Sequence, residues 1–283
     1  MVRPNIEAVT AATLPEFAAF LHQHLDARRS PAQWVLGLSH HWMPDAPNHG
    51  FVIRDGGTIV GGIGACYAER RIQGRLERFC NITSWCVLDS HRQQSMRLAM
   101  MLVGQADFHF TDFSPTKIVS STLQFLKFKP LDERQVVTLN LPWPVLDGLR
   151  IVSRPAEIVQ SLQGDALRIY LHHAAFPWLQ HRLLGDGHVW CHVIYRRKSF
   201  KGLPAAFILH ASDATMLGRG WRRLCRHLLM QGIASTHAEY RLLQGQPWPS
   251  CVRSGFNVKV YRSPTFGPEQ IDYLYSEQVA LDL

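Results

Sequence analysis

Apolar side chains recur at helical spacing at Leu14, Phe17, Ala18, Leu21 and Leu25, which predicts an amphipathic helix over 14–25. Thr13 stands at its N-cap position, Pro15 suits its first turn, and Glu16 puts negative charge at the positive end of the helix dipole. Ser30-Pro31 opens a second helix reaching about residue 41. A short strand, 6–10, precedes both. The period then shortens. Residues 50–55 alternate as a strand, Gly56-Gly57 makes a tight turn, and 58–67 continue as the second arm of a hairpin. After a break at Gly74, residues 76–88 form a long strand carrying Phe79, Ile82, Trp85 and Val87. A Met- and Leu-rich helix over 93–108, a short strand at 110–113, a helix from Ser114-Pro115 to about 125, and a strand at 136–141 complete the first half.

Pro142-Trp143-Pro144 interrupts the pattern, and 142–155 reads as a linker. Beyond it, 189–196 and 205–211 alternate as strands around a turn at Lys201-Gly202. Residues 219–231 read as a helix, and 236–243 as a strand. Strands at 258–261 and 273–281 close a sheet. Strand, strand, helix, strand occurs in both halves, so the pattern predicts an α/β (α+β) fold of two related halves. The predicted domains are 1–141 and 156–283.

The chain has 283 residues, 46% hydrophobic and 18% charged, enough to bury one large or two smaller cores and unlike a disordered chain. It contains no run of about 18 apolar residues, so no membrane-spanning helix is expected. The start lacks an apolar signal core, and the expected location is the cytoplasm. Six cysteines (Cys66, Cys80, Cys86, Cys191, Cys225, Cys251) show no CxxC spacing, and none sits near a His pair spaced like a zinc ligand set, which predicts free thiols and no metal site. The net charge of +8 suits a phosphorylated small molecule, an anionic sugar or nucleic acid. The basic clusters Arg196-Arg197-Lys198 and Arg219–Arg226 read as solvated faces.

Residues 5–141 resemble the GNAT (GCN5-related N-acetyltransferase) superfamily. Phe51-Val52-Ile53-Arg54-Asp55-Gly56-Gly57-Thr58-Ile59-Val60-Gly61-Gly62 is similar to that family's second and third strands. The strand through Trp85, Cys86 and Val87, followed by Asp89-Ser90-His91-Arg92 and a helix, lies where the family holds its cofactor. Leu126-Lys127-Phe128 matches a Leu-Gly-Phe landmark with Lys for Gly. The resemblance implies a mixed, mostly antiparallel central sheet flanked by helices, and an acyltransferase using acetyl-CoA or another acyl-CoA. The main chain of Trp85, Cys86 and Val87 would hold the pantetheine arm. Arg92-Gln93-Gln94-Ser95-Met96-Arg97 would hold the diphosphate at a helix start, where free N–H groups and the helix dipole favour anions. Ser95 and Arg97 replace the family's glycines there.

Acyl transfer to an amine or hydroxyl needs a base and oxyanion donors. The resemblance points to Glu77 as base, then Glu69, with Asn81 orienting the acceptor. A surface role for Glu77 and Glu69 beside Arg70, Arg75 and Arg78 is the competing reading. The family's Tyr that protonates the leaving thiolate is replaced by Leu123, which leaves Asp112, Ser114 or a water for that step. In the second half, His172, His173, His181, His188, His192 and His210 carry possible acid–base chemistry. The expected acceptor is a small molecule or saccharide. An aminoacyl-tRNA-dependent transferase, recognising tRNA through the basic cluster, and a catalytically inactive CoA-binding sensor are the alternatives.

Overall fold

A computed structural model describes residues 4–243 and 245–282. The chain begins with β1 (Asn5–Ala8), α1 (Leu14–His24) and α2 (Pro31–Ser39). Three strands follow: β2 (Gly50–Asp55), β3 (Thr58–Ile72) and β4 (Arg75–Val87). A 3-10 helix (Asp89–Gln94) runs into α3 (Ser95–Val103), then come β5 (His109–Asp112), α4 (Lys117–Phe125) and β6 (Lys129–Pro130). The next stretch holds β7 (Gln135–Leu139), β8 (Arg150–Val152), α5 (Pro155–Ser161), α6 (Gly164–Ala174), β9 (Leu179–Gly185), β10 (Trp190–Phe200) and β11 (Leu203–Ala211). After it come α7 (Ala214–Arg219), α8 (Trp221–Met230), β12 (Ser235–Glu239), β13 (Cys251–Arg253), β14 (Val260–Arg262) and α9 (Glu277–Ala280).

These elements build two mixed, mostly antiparallel seven-stranded sheets, ordered β1-β2-β3-β4-β5-β14-β6 and β13-β7-β12-β11-β10-β9-β8. Their inner order is the same. β1-β2-β3-β4-β5 corresponds to β8-β9-β10-β11-β12, and each run ends in a parallel pair joined through helices, β4 with β5 and β11 with β12. Two compact units result. The first comprises Met1–Leu131, Val258–Gly267 and Tyr275–Leu283, the second Asp132–Asn257 and Pro268–Leu274.

Local chemistry explains the hairpins. Gly56 and Gly57 both take positive φ, 56° and 88°, as the two-residue turn between right-twisted strands requires. In α2, Ser30 and Gln33 form a reciprocal capping box. Helix α1 lies so close to β3 that a Cβ on Gly62 would meet the Phe17 ring at 2.2 Å. The first unit's core joins Ile53, Ile63, Tyr67, Ile82, Leu98 and Leu123. The second gathers around Trp221, Leu224, Leu228, Val193 and Tyr195.

Several elements differ from expectation. The strand assigned to 136–141 pairs in the second sheet as β7, and β14 returns to the first, so the boundary does not fall at 141. The stretch 142–155 contains β8. The helix expected over 93–108 is a 3-10 segment followed by α3, which stops before Gly104. Helix α4 starts at Lys117 because the Thr116 side chain caps Val119 N–H. Residues 219–231 split at Gly220, where a Cβ would strike Leu184 at 2.6 Å. Residues 273–281 are not a strand. Tyr275 has φ 62° and Ser276 caps α9.

Candidate functional site

The site begins where β4 and β5 part. They pair in parallel only from Phe79↔His109 to Asn81↔Thr111, yet β4 runs on to Val87. A bulge follows at once, with Thr83 opposite Gly64 and Cys86 opposite Gly62 in β3. Ser84 sits inside it at φ 53°, a left-handed conformation that costs a non-glycine residue energy. Bulges bend a strand and interrupt its ladder. Burial records the change: Phe79–Thr83 are buried, whereas Ser84–Val87 are half-exposed although still in a strand.

The gap widens into an open cleft of about 670 Å³ lined by Trp85, Cys86 and Val87 of β4, Arg92 and Ser95, and Thr116, Ile118, Val119 and Thr122 of α4. The indole Nε1 of Trp85 is buried without a hydrogen-bond partner. Burial pushes the Cys86 thiol above its ordinary range, and its Sγ lies 3.6 Å from the His24 carbonyl.

Of the residues expected to hold a diphosphate, Arg92 and Ser95 reach this cleft. Arg92 is exposed and its guanidinium pairs with Asp89 at 2.7 Å. Ser95 N–H donates back to the Arg92 carbonyl, so the 3-10 turn uses an amide that an open loop would leave free. Gln93 is exposed and its side-chain amide approaches the Ser90 carbonyl, at 3.5 Å. Arg97 is exposed and donates to the Pro4 carbonyl at 3.4 Å. Gln93, Gln94, Met96 and Arg97 lie outside the cleft lining.

The expected bases lie elsewhere. Glu77 accepts from His109 Nε2 at 3.1 Å, and His109 Nδ1 meets Ser263 Oγ at 2.8 Å. Glu77 stands eight residues before Trp85, roughly 26 Å along an extended strand. Glu69 faces Arg78 across the hairpin at 3.4 Å. Asn81 is buried, donates to Thr111 Oγ1 at 3.1 Å, and accepts from the Glu277 backbone N–H at 2.8 Å.

Three residues at the base of the gap form a group that sequence reasoning did not assemble. Glu277 is fully buried. Its Oε1 accepts from Phe113 N–H at 2.9 Å and from Ser114 Oγ at 2.9 Å. The first of these is an amide just past the last β4–β5 pair. Oε2 is buried with no partner. Asp112 is also buried, and its carboxylate accepts from Ser114 N–H at 3.1 Å. Burial pushes the Glu277 carboxyl up to about 6. Burial, then the charge of Glu277, raises Asp112 well above the carboxylate range. Ser114 is exposed. Asp112 and Ser114 figured in the sequence as candidates to replace the missing Tyr. Leu123 is buried in the core.

In the second unit, the helix after β11 begins differently: Asp213 caps it, accepting from Met216 N–H at 2.9 Å. A carboxylate already occupies the place where an anion would bind. The buried histidines of that unit cluster, with His181 Nδ1 3.1 Å from His192 Nε2 and His210 Nδ1 3.5 Å from Asp272. His172 is half-exposed and His188 exposed. The six cysteines are free thiols. Among the described residues no group of three or more His, Cys, Asp or Glu is arranged to hold a metal. No helix among them is long and apolar enough to cross a membrane.

No protein-family model matches this sequence, and no curated protein matches it. Solved structures do match its fold. A GCN5-related N-acetyltransferase from Anabaena variabilis superposes with TM-score 0.61 at 12% identity, over 92% of this chain and 72% of that one. A probable N-acyltransferase from Enterococcus faecalis V583 gives 0.55 at 9% identity, over 92% and 73%. A GCN5-related N-acetyltransferase from Kribbella flavida gives 0.55 at 11%, over 92% and 71%. The chain therefore has the GNAT fold. The likeness spans both units and not the first alone.

Proposed function

We propose that this protein is an acyltransferase. It takes an acyl group from acetyl-CoA or another acyl-CoA and passes it to an amine or hydroxyl of a small-molecule or saccharide acceptor, in the cytoplasm. One observation carries the reading. Past Asn81, β4 loses its β5 neighbour and opens into a cleft bordered by Arg92, Ser95 and the start of α4. A strand with one unpaired edge offers main-chain donors and acceptors to an extended ligand. A pantetheine arm, which carries amides along its length, suits such an edge. The Arg92 guanidinium and Ser95 hydroxyl suit the diphosphate end. The neighbours' fold supports this chemistry without identifying the acceptor.

In this reading the Trp85–Val87 main chain holds the arm and Ile118 and Val119 cover it. The thioester then lies toward the base of the gap, near Ser114. Titration calorimetry with acetyl-CoA tests the proposal, with thermal unfolding alongside. At a hundred times its Kd the ligand should add about 2.7 kcal/mol of stability. Val119→Arg, which fills the cleft, should abolish the effect. Binding unaltered in that variant, or absent from the wild type for every acyl-CoA tried, refutes the reading.

A further inference from the structure

We propose that Ser114 and Glu277 form a proton relay for acyl transfer, in which the Ser114 hydroxyl takes the acceptor's proton while passing its own to Glu277 Oε1. This rests on the acyltransferase reading and extends it to the residues that move the proton.

The argument is geometric. Glu277 fills the base of the gap between β4 and β5. Its own N–H is tied to Asn81 of β4 at 2.8 Å, and its carboxylate is tied to Phe113 N–H, just past β5, at 2.9 Å. A buried carboxylate is expensive unless its oxygens are satisfied, and Oε2 has no partner. Among the described residues, Ser114 is an exposed side chain bonded to the Glu277 carboxylate, donating at 2.9 Å. A fully buried acid joined to an exposed hydroxyl is a path for a proton. In an extension of the parallel register that ends at Asn81↔Thr111, Ser114 comes opposite Ser84, the bulge residue where β4 turns away. The hydroxyl thus sits at the base of the gap, two residues past the end of β5.

The step balances. A bond forms between the acceptor nitrogen or oxygen and the acyl carbon, and the carbon–sulfur bond breaks with its electron pair on the thiolate. The acceptor's proton goes to Ser114 Oγ as the Ser114 proton goes to Glu277 Oε1. The groups facing Glu277 fix its charge. Burial, then the charge of Glu277, raises the Asp112 carboxyl on β5 well above the carboxylate range, and burial pushes the Cys66 thiol on β3 up to about 12. Both shifts favour the uncharged forms, which leaves Glu277 the best placed of the three to ionise. A base works best with a pKa near the working pH. Burial brings Glu277 there. Ser114 is the catalytic residue. Glu277 acts through it and is the positioning residue.

The test uses the full chain carrying 13C-labelled glutamate and aspartate, followed by infrared spectroscopy from pH 4 to 8, with hydrolysis of acetyl-CoA, water being the acceptor, as the kinetic readout. The wild type should show a buried glutamate carboxyl that ionises near pH 6. The band should be missing in Glu277→Gln and shifted in Ser114→Ala. Hydrolysis should fall about 100-fold in both variants, and its rise with pH through 6 should vanish. Ser114→Thr, which keeps the hydroxyl, should restore both. A Glu277 band that stays protonated to pH 8, or that ignores Ser114→Ala, overturns the relay. So does an unchanged pH profile in Glu277→Gln. Failure of acetyl-CoA to bind in calorimetry instead removes the acyltransferase reading on which the relay depends, and is seen independently of either band.

Discussion

The side-chain oxygen of Asn81 accepts the backbone N–H of Glu277 at 2.8 Å, across 196 positions of sequence. The same amide's nitrogen donates to Thr111 Oγ1 at 3.1 Å. Asn81 thereby joins β4, β5 and the C-terminal segment. Asn81→Leu leaves the Glu277 N–H and the Thr111 hydroxyl without partners in a dry site. The expected cost is about 1–3 kcal/mol, read as a lower midpoint in thermal unfolding. Limited proteolysis should also begin to cut around residues 275–282. An unchanged midpoint would mean that the segment is held by other contacts.

Arg92 and Arg97 are five residues apart and turn to different places. Arg92 borders the cleft, while Arg97 reaches the Pro4 carbonyl. Charge reversal should separate them. Arg92→Glu puts a carboxylate beside the proposed diphosphate and should weaken acetyl-CoA binding by about tenfold or more, equivalent to about 1.4 kcal/mol. Arg97→Glu should change affinity little, because exposed charges at a distance are screened by salt. Calorimetry at about 0.15 M salt compares the two. Equal losses would place the diphosphate over the α3 start instead.

Glu77 was the first base expected from the sequence, and its carboxylate is engaged by His109. The His109 ring packs at a tilt against Phe79, at 5.0 Å, and Phe266, at 4.5 Å. The group therefore ties β4 to β5 at the end away from the cleft. Glu77→Gln should lower stability by about 1 kcal/mol, the scale of one partly buried polar contact. It should leave turnover with acetyl-CoA unaltered. A large fall in kcat at constant KM would return Glu77 to the role of base.

The hairpins were legible because three physical signals coincide there: alternation, β-branched and aromatic residues, and glycine turns with positive φ. The Trp85–Val87 edge was legible through its resemblance to the GNAT pattern. Helices α5 and α6 were not. The first buries only Ile158, and the second buries just Tyr170 and His173, so neither shows an apolar stripe. Strand β9 was hidden because it buries His181 and Arg182 among its leucines. Glu277 was missed for the same reason, since carboxylates are seldom buried. The spaced apolar residues Tyr273, Tyr275, Val279 and Leu281 imitate a strand. The lining by Ile118, Val119 and Thr122 had one available signal. Ile118 is 72% exposed, out of phase with the buried Ser120 and Leu123.

The histidines of the second unit make its stability depend on pH. Burial, the largest cause, lowers His173 to about 3, His181 to about 4 and His192 to about 2, with neighbouring histidines adding to each shift. In the unfolded chain all three take protons near pH 6.5, whereas the folded unit keeps them neutral to about 4 or below. The unfolded state then binds more protons between those limits, so stability falls as pH falls through 6.5. Each neutral histidine loses about 1.4 kcal/mol per pH unit below that point. Urea midpoints measured from pH 7.5 to 5 should therefore decline steeply below 6.5, before most carboxylates titrate. His227 and His237 of the same unit are likewise lowered by burial to about 4, so replacing His192 with Asn removes one of five such groups, and the decline should become shallower by about a fifth. A flat profile in the wild type would mean that water or a relaxed packing admits charge to the cluster. An equally steep one in His192→Asn would assign the dependence to other groups.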